Sequence, residues 1–304
     1  VRHFGRLEAE LRRLVAHPPR FETRAVRLLA GFELIEARTR GTPESADAGA
    51  AAEDGLTAKI VHHAVEQAKT LASPAEARLV NAVVRKLVVA LAKEPPPKLA
   101  EAAVLAEYFS HPEWLVRRWL TQAGAEATRR LLEWNQQPAT VYARWRGPEN
   151  SAAPDWFKPT PWAGFYEVPS GRWPEVEQLL KDGRIYLQDP GTRLAVELLA
   201  PQAGETVLDA CAAPGGKSLL IADVLRRAGG ATPGRVVAVD LPGPRIERLK
   251  QNLSRADGVD VALVQGDWLG GEFRLFDDHR LPTEYSAVLL DVPCSNTGVM
   301  RHRV

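Results

Sequence analysis

The stretch Thr206 to Lys217, TVLDACAAPGGK, constrains this chain more than any other. Val207 and Leu208 end a short apolar run of the kind that forms a buried parallel strand. Pro214, Gly215 and Gly216 break that strand and turn the chain sharply. From Ser218 the pattern becomes LLIADVLRR, apolar at helical spacing. Strand, glycine turn and helix in this order open a nucleotide-binding α/β unit. Glycine at the turn keeps side chains from holding a ligand away from the backbone. A plain β–α turn in an α/β core uses the same residue types, so the turn alone does not select a ligand.

A dinucleotide fold prefers G-x-G-x-x-G, which is absent here. That weakens a nicotinamide dehydrogenase. A phosphate-cradling P-loop needs G-x-x-x-x-G-K-[ST]; Gly215-Gly216-Lys217-Ser218 ends correctly, but Cys211 stands where the first glycine belongs. Asp209 sits at the strand end. A carboxylate there repels phosphate and accepts hydrogen bonds from an ammonium group. This suits S-adenosylmethionine, which has a cationic amino-acid end and no phosphates.

Three further strands carry acids in the same place. Arg235 to Asp240 (RVVAVD) is a strand closed by an acid, about 24 residues past Gly216 and near the ~20-residue offset at which an acid reaches a ribose. Arg245 to Arg255 follows as a helix. Val259 to Val264 precedes Gln265-Gly266-Asp267, and Tyr285 to Leu290 precedes Asp291-Val292-Pro293-Cys294. Asp209, Asp240, Asp267 and Asp291 thus crown successive strands, where open parallel sheets bind ligands.

Pro293-Cys294-Ser295 stands where an enzyme methylating an exocyclic amine would place an acceptor and an aromatic platform such as Pro-Pro-Tyr. A thiolate can instead add to carbon 6 of a pyrimidine and make carbon 5 enamine-like. Loss of the carbon-5 proton after methylation then expels the thiolate. Cys294 is a candidate for such chemistry; its other reading is a small buried apolar residue. Cys211, inside the turn, reads as packing with its backbone near the cofactor.

The 304 residues allow two domains or three, and 45% hydrophobic with 25% charged residues is an ordinary globular balance. No apolar run approaches the ~20 residues that span a bilayer. No signal peptide is apparent, and no initiator Met is present. Two cysteines without framework spacing point to a reducing, cytoplasmic compartment and rule out a zinc ribbon. At a net charge of +1, any nucleic-acid surface is a local patch. The expectation is a monomer with no metal and no membrane segment.

Residues 1–134 read as an all-helical bundle. Phe4, Leu7, Leu11 and Leu14 recur at helical spacing up to Pro18-Pro19, and Ala25 to Ala37 is a second apolar-striped segment. Gly41 to Gly55 reads as a flexible loop. Leu56 to Thr70, Ser73 to Ala92, Leu99 to Tyr108 and Glu113 to Trp134 are further helices, the second ended by Glu94-Pro95-Pro96-Pro97. Ser73-Pro74 with Glu76 is a helix start. Trp114, Arg117, Arg118, Trp119, Arg129 and Arg130 are either tryptophan core with a solvated arginine face or a surface for RNA phosphates. Residues 135–184 read as a small α+β connector carrying Arg144, Arg146 and Lys158. Its strands are Val141 to Trp145 and Phe165 to Val168, Gly147 to Pro161 is a loop, and Trp173 to Lys181 is a helix. Ile185 to Pro190 then leads into a helix, Thr192 to Leu199.

Asp209-Ala-Cys-Ala-Ala-Pro-Gly-Gly-Lys217 and Asp291-Val-Pro-Cys-Ser-Asn-Thr-Gly298 resemble the signature motifs of Sun/RsmB-type RNA cytosine-5 methyltransferases. Tyr186-Leu-Gln-Asp-Pro190 is similar to the family's segment before the first strand. Val80-Asn-Ala-Val-Val-Arg85 and Ser110-His-Pro-Glu-Trp114 resemble its NusB-like helical RNA-binding module. The resemblance implies a Rossmann-like class I methyltransferase domain over 185–304, preceded by a NusB-like bundle and the connector. It implies S-adenosylmethionine as cofactor, bound by Cys211, Ala212, Ala213, Pro214, Gly215, Gly216 and Lys217. Asp240 holds the ribose, Asp267 the adenine end, and Asp291 lies between cofactor and cytosine. The implied substrate is one cytosine of small-subunit ribosomal RNA. In the family Cys294 matches a cysteine that assists product release, while the nucleophile lies in a later Thr-Cys motif. The printed sequence reaches Val304 before that motif and before the last strands of a full sheet, so the domain is expected to be C-terminally incomplete as given. Cys294 as nucleophile is the alternative, and a non-catalytic RNA-binding protein is the competing reading of the whole.

Overall fold

The structure, a computed structural model, describes residues 2–40, 46–93, 97, 101–148, 151–271, 273–275, 281–295 and 297–302. The chain forms two units, Val1–Pro138 with Gly298–Val304, and Ala139–Thr297.

Helices α1 (Phe4–Arg13), α2 (Phe21–Arg40), α3 (Ala46–Leu71) and α4 (Pro74–Lys93) each turn an apolar stripe to one core. Leu7 and Leu11, Ala30 and Leu34, Ala64 and Ala68, and Val80, Val84 and Leu87 meet there. Each fully buried leucine or valine contributes roughly 1.5–3 kcal/mol. Phe4, expected in the stripe, is instead 42% exposed, because Leu7 and Leu11 already fill the core-facing side of α1. At the start of α4 the Ser73 hydroxyl accepts from the Glu76 N–H at 3.2 Å and donates to the Glu76 carboxylate at 3.0 Å. Thr23 of α2 donates to the other Glu76 oxygen at 3.1 Å, so this cap also joins two helices.

Helix α3 reaches back to Ala46, through part of the expected loop. The run Ala50-Ala51-Ala52-Glu53 is a strong helix former, and propensity prevails over its low complexity. Gly41 to Ser45, Glu94 to Pro96, Leu99 and Ala100, and Glu149 and Asn150, which fall in the expected loop, helix end, helix start and connector loop, lie outside the described residues. Helices α5 (Ala102–Tyr108) and α6 (Glu113–Gln136) share a second core of Leu105, Phe109, Val116 and Leu132. Gly124, at φ 78°, interrupts α6. Trp114 is exposed rather than core, while Trp119 is partly buried against Leu132 and its neighbours. Arg117, Arg129 and Arg130 pair with Glu113, Glu133 and Glu126 one turn away on the same helix.

The second unit holds two sheets. The smaller consists of β1 (Tyr142–Trp145), β2 (Lys158–Pro159), β3 (Phe165–Glu167) and, after α7 (Trp173–Lys181), β4 (Ile185–Leu187). It is antiparallel in the order β2-β3-β1-β4. Ala143, Phe157, Val176 and Ile185 form its core with α7. Ile185–Leu187, read from the sequence as a lead into the next helix, is the edge strand of this sheet, with Trp145 opposite Ile185. A three-residue strand is too short to show an alternating pattern.

The larger sheet follows α8 (Arg193–Leu199). Its strands are β5 (Thr206–Asp209), β6 (Arg235–Asp240), β7 (Asp260–Gly266), β8 (Phe273–Leu275) and β9 (Ala287–Leu289), in the order β8-β7-β6-β5-β9. All pairs are parallel except β7 with β8. Helices α9 (Gly216–Ala228) and α10 (Arg245–Leu253) cover it, with Ile221 and Leu225 against Val207 and Val236, and Leu249 and Leu253 against Ala238 and Leu263. Because β9 returns to the far side of β5, the strand order reverses between them. Such a switch point opens a crevice beyond the carboxyl ends of the strands.

Candidate functional site

The apolar run Val207-Leu208 carries β5 through the core and delivers Asp209 to that crevice. Asp209 is buried, and its Oδ2 accepts from the Ser218 hydroxyl at 2.6 Å, while Oδ1 has no hydrogen-bond partner. Burial raises its carboxyl above the usual range, with Ser218 opposing that shift. Beyond Asp209 the turn is stitched to both neighbours. Ala210 N–H donates to Leu289 of β9 at 3.0 Å, and Ala212 N–H to Val239 of β6 at 2.8 Å. Ala213 N–H donates to Asp240 Oδ2 at 2.8 Å. Asp240 Oδ1 accepts from the Leu241 N–H at 2.9 Å and from Arg245 at 3.3 Å.

Lys217, in the first turn of α9, pairs with Asp291 just past β9. Asp267 lies past β7 and caps its own loop, accepting from Leu269 N–H at 2.9 Å. Beside it Trp268 donates its indole N–H to the Ala210 carbonyl at 2.8 Å, which ties this loop to the end of β5. The four strand-end acids therefore share one edge of the sheet. Cys211 is half-buried, and burial followed by the negative charges of Asp240, Asp209 and Asp291 pushes its thiol up. Cys294 is exposed, three residues after Asp291.

Gly215 and Gly216 are demanded from behind the turn as well as by any ligand. Gly215 has φ 104°, and a Cβ there would lie 3.0 Å from Leu249 of α10. A Cβ on Gly216 would lie 2.9 Å from the Tyr186 ring. Two amides hold the same turn: Asn252 donates to the Pro214 carbonyl at 2.7 Å, and Gln188 to the Gly216 carbonyl at 3.2 Å. Gln188 in turn accepts from Arg144 at 2.9 Å. Arg144 and Arg146 of the connector are largely buried, and both bind Asp223 of α9. Burial opposes the charge on Asp223, but the Arg146 hydrogen bond and the field of Arg144 overcome it and hold the carboxyl below its ordinary range.

Sequence reasoning missed Asn252 and Trp268, and gave no site role to Gln188 of the Tyr186–Pro190 segment or to Ser218 after the glycine turn. Trp268, immediately after Gly266-Asp267, was open to being found by position. Asn252 carried no signal, being one polar residue on an amphipathic helix.

Among the described residues no group of three or more metal-ligating side chains occurs, and no helix is long and apolar enough to cross a membrane. Lys217 is engaged by Asp291, so the turn offers an acidic, cation-accepting edge rather than a phosphate cradle.

A mostly parallel sheet of this order, with a glycine turn after the first of its parallel strands and acids along its carboxyl edge, is a Rossmann-like methyltransferase fold. The structure titled as that of PH0851 overlaps 93% of this chain and 61% of its own at a TM-score of 0.59 and 19% identity. A methyltransferase homolog protein from Pyrococcus horikoshii overlaps 66% of this chain and 65% of its own at 0.50 and 24%. Residues 196–304 match the family model described as 16S rRNA methyltransferase RsmB/F. Ribosomal RNA small subunit methyltransferase B from Escherichia coli O127:H6 is 31% identical over 254 residues, 78% of this chain and 54% of the relative. The protein of that name from Shigella sonnei matches to the same extent. The chain spans about half the length of the curated relatives it matches.

Proposed function

We propose that this chain carries the cofactor-binding part of an S-adenosylmethionine-dependent RNA methyltransferase acting on carbon 5 of a cytosine in small-subunit ribosomal RNA. The observation that carries the reading is the bond between Asp240 and the Ala213 N–H, which fixes an acid against the turn between β5 and α9. The residues fit a cofactor with a cationic end. Asp240 holds its carboxylate against the turn, and the only lysine of the turn is neutralised by Asp291. Bound S-adenosylmethionine supplies the electrophilic methyl group. Residues 211–217 would line it, Asp240 would take the ribose side, Asp267 the adenine end, and Asp291 the side facing the base.

The chain has two thiols. Cys211 is kept in its neutral form by burial and three nearby acids. Cys294 is exposed, which supports it as the thiol that meets the base. Its assigned role is release of the methylated product. The alternative is addition to carbon 6 of the cytosine, followed by methylation at carbon 5, loss of the carbon-5 proton and expulsion of the thiolate. The base must leave its stack for either step, so the substrate is single-stranded or looped RNA.

Transfer of labelled methyl groups to unmodified small-subunit ribosomal RNA tests the reading. Asp291→Asn is expected to lower transfer by about 10²-fold or more, the scale of a lost catalytic group. In a chain extended through the later Thr-Cys motif that the resemblance implies, Cys294→Ser is expected to leave a persistent RNA–protein adduct on that second thiol if Cys294 releases product; in the chain as given, loss of all transfer in Cys294→Ser is expected if Cys294 is the nucleophile. Transfer and release unchanged in both variants would overturn the assignment.

A further inference from the structure

At the end of α9 and α10 away from the glycine turn, a cleft of about 520 Å³ opens between the connector and the methyltransferase helices. Arg226 lies ten residues along α9 from Gly216, roughly 15 Å at the helical rise. The cleft therefore belongs to the amino-terminal edge of the parallel strands, away from the strand-end acids. Its floor is Arg146, whose guanidinium is largely buried and bound to Asp223, to the Gly183 carbonyl at 3.2 Å and to the Arg255 carbonyl at 2.9 Å.

Above this floor stand Arg184, Arg226 and Arg255, none of which makes an ion pair among the described residues. Two of them run past glycines. A Cβ on Gly183 would lie 3.7 Å from Arg255 Cδ, and one on Gly258 would lie 3.5 Å from Arg226 Cδ, so each stem passes beside a position that carries no side chain. Lys181 also lines the cleft, paired with Glu177 at 3.0 Å. The acids present are Asp223, already used by two arginines, Asp182, which accepts from Gln178 at 2.8 Å, and Asp257. The unpaired charge is therefore mainly positive, and it is guanidinium, whose planar fork matches phosphate oxygens.

We propose that this cleft binds the phosphodiester backbone of single-stranded RNA, as a contact separate from the one at the reacting base. The proposal rests on the reading of the chain as an RNA methyltransferase and adds the place where flanking RNA is held. Neutralising three phosphates lowers the slope of log affinity against log salt by about 0.7 each on a single strand.

Titrating a labelled single-stranded RNA oligonucleotide across a salt series tests it, with the wild-type chain and with Arg184→Gln/Arg226→Gln/Arg255→Gln. The variant is expected to bind more weakly and to lose about 2 units of salt slope. Asp257→Asn supplies the opposite sign, since removing the cleft's own acid is expected to tighten binding, which a misfolded variant would not do. Wild-type binding with slope and affinity unchanged in the triple variant would overturn the cleft alone. No RNA binding by the wild type would remove the functional reading and the cleft together. Slope lost against poly-glutamate but not against RNA would assign the cleft to an acidic protein and overturn the proposal.

Discussion

His3 and Gly215 show how single positions are set by their surroundings. Burial first, and then the charges of Arg6 and Arg2, lower the His3 pKa from 6.5 to about 4, with Glu36 4.0 Å away. Between those values the unfolded chain binds more protons than the folded one. The stabilisation is present above about pH 6.5 and is lost as pH falls towards 4, by up to about 3 kcal/mol. His3→Asn tolerates the same left-handed backbone (φ 65°) and is expected to flatten the denaturant midpoint over that window. An unchanged acid slope would contradict the assignment. Gly215→Ala meets both φ 104° and Leu249, and is expected to cost about 1–3 kcal/mol in urea unfolding. A midpoint equal to the wild type would show that the turn relaxes freely.

At the scale of elements, β4 and α9 do work that their sequences conceal. β4 ends beside Gln188, and the relay from Arg144 through Gln188 to the Gly216 carbonyl joins the small sheet to the turn. Asp223 of α9 pairs with both Arg144 and Arg146, so one carboxylate serves two buried guanidinium groups. Asp223→Ala leaves two buried guanidinium groups uncompensated and is expected to cost about 3–5 kcal/mol, read as a lowered unfolding midpoint. A loss below about 1 kcal/mol would mean that the arginines reach water instead. The strands ending in Asp209, Asp240 and Asp267, together with the glycine turn, were legible because each joins an apolar run to a polar stop. β2, β4 and β8 were not, since two or three residues carry no period and their pairing is tertiary. Arg144 and Arg146 were visible as connector residues, but not their burial, which depends on an acid about 77 positions away in sequence. For Gly215 and Gly216 the composition was right, and packing by Leu249 and Tyr186 adds a cause that local reasoning does not contain.

The whole chain separates into a helical unit with its own cores and an α/β unit that holds every residue of the candidate site. Binding at the glycine turn is therefore expected to protect amides of 206–217 and 287–294 from hydrogen exchange and to leave α3 and α4 unchanged. The central claim is that the acids crowning the larger sheet accept a sulfonium donor. Calorimetric titration with S-adenosylmethionine tests it most directly. The wild-type chain is expected to release heat of binding, and Asp240→Ala to bind at least about tenfold more weakly, or ~1.4 kcal/mol. No heat with the wild type, or equal affinity in the two proteins, would contradict it.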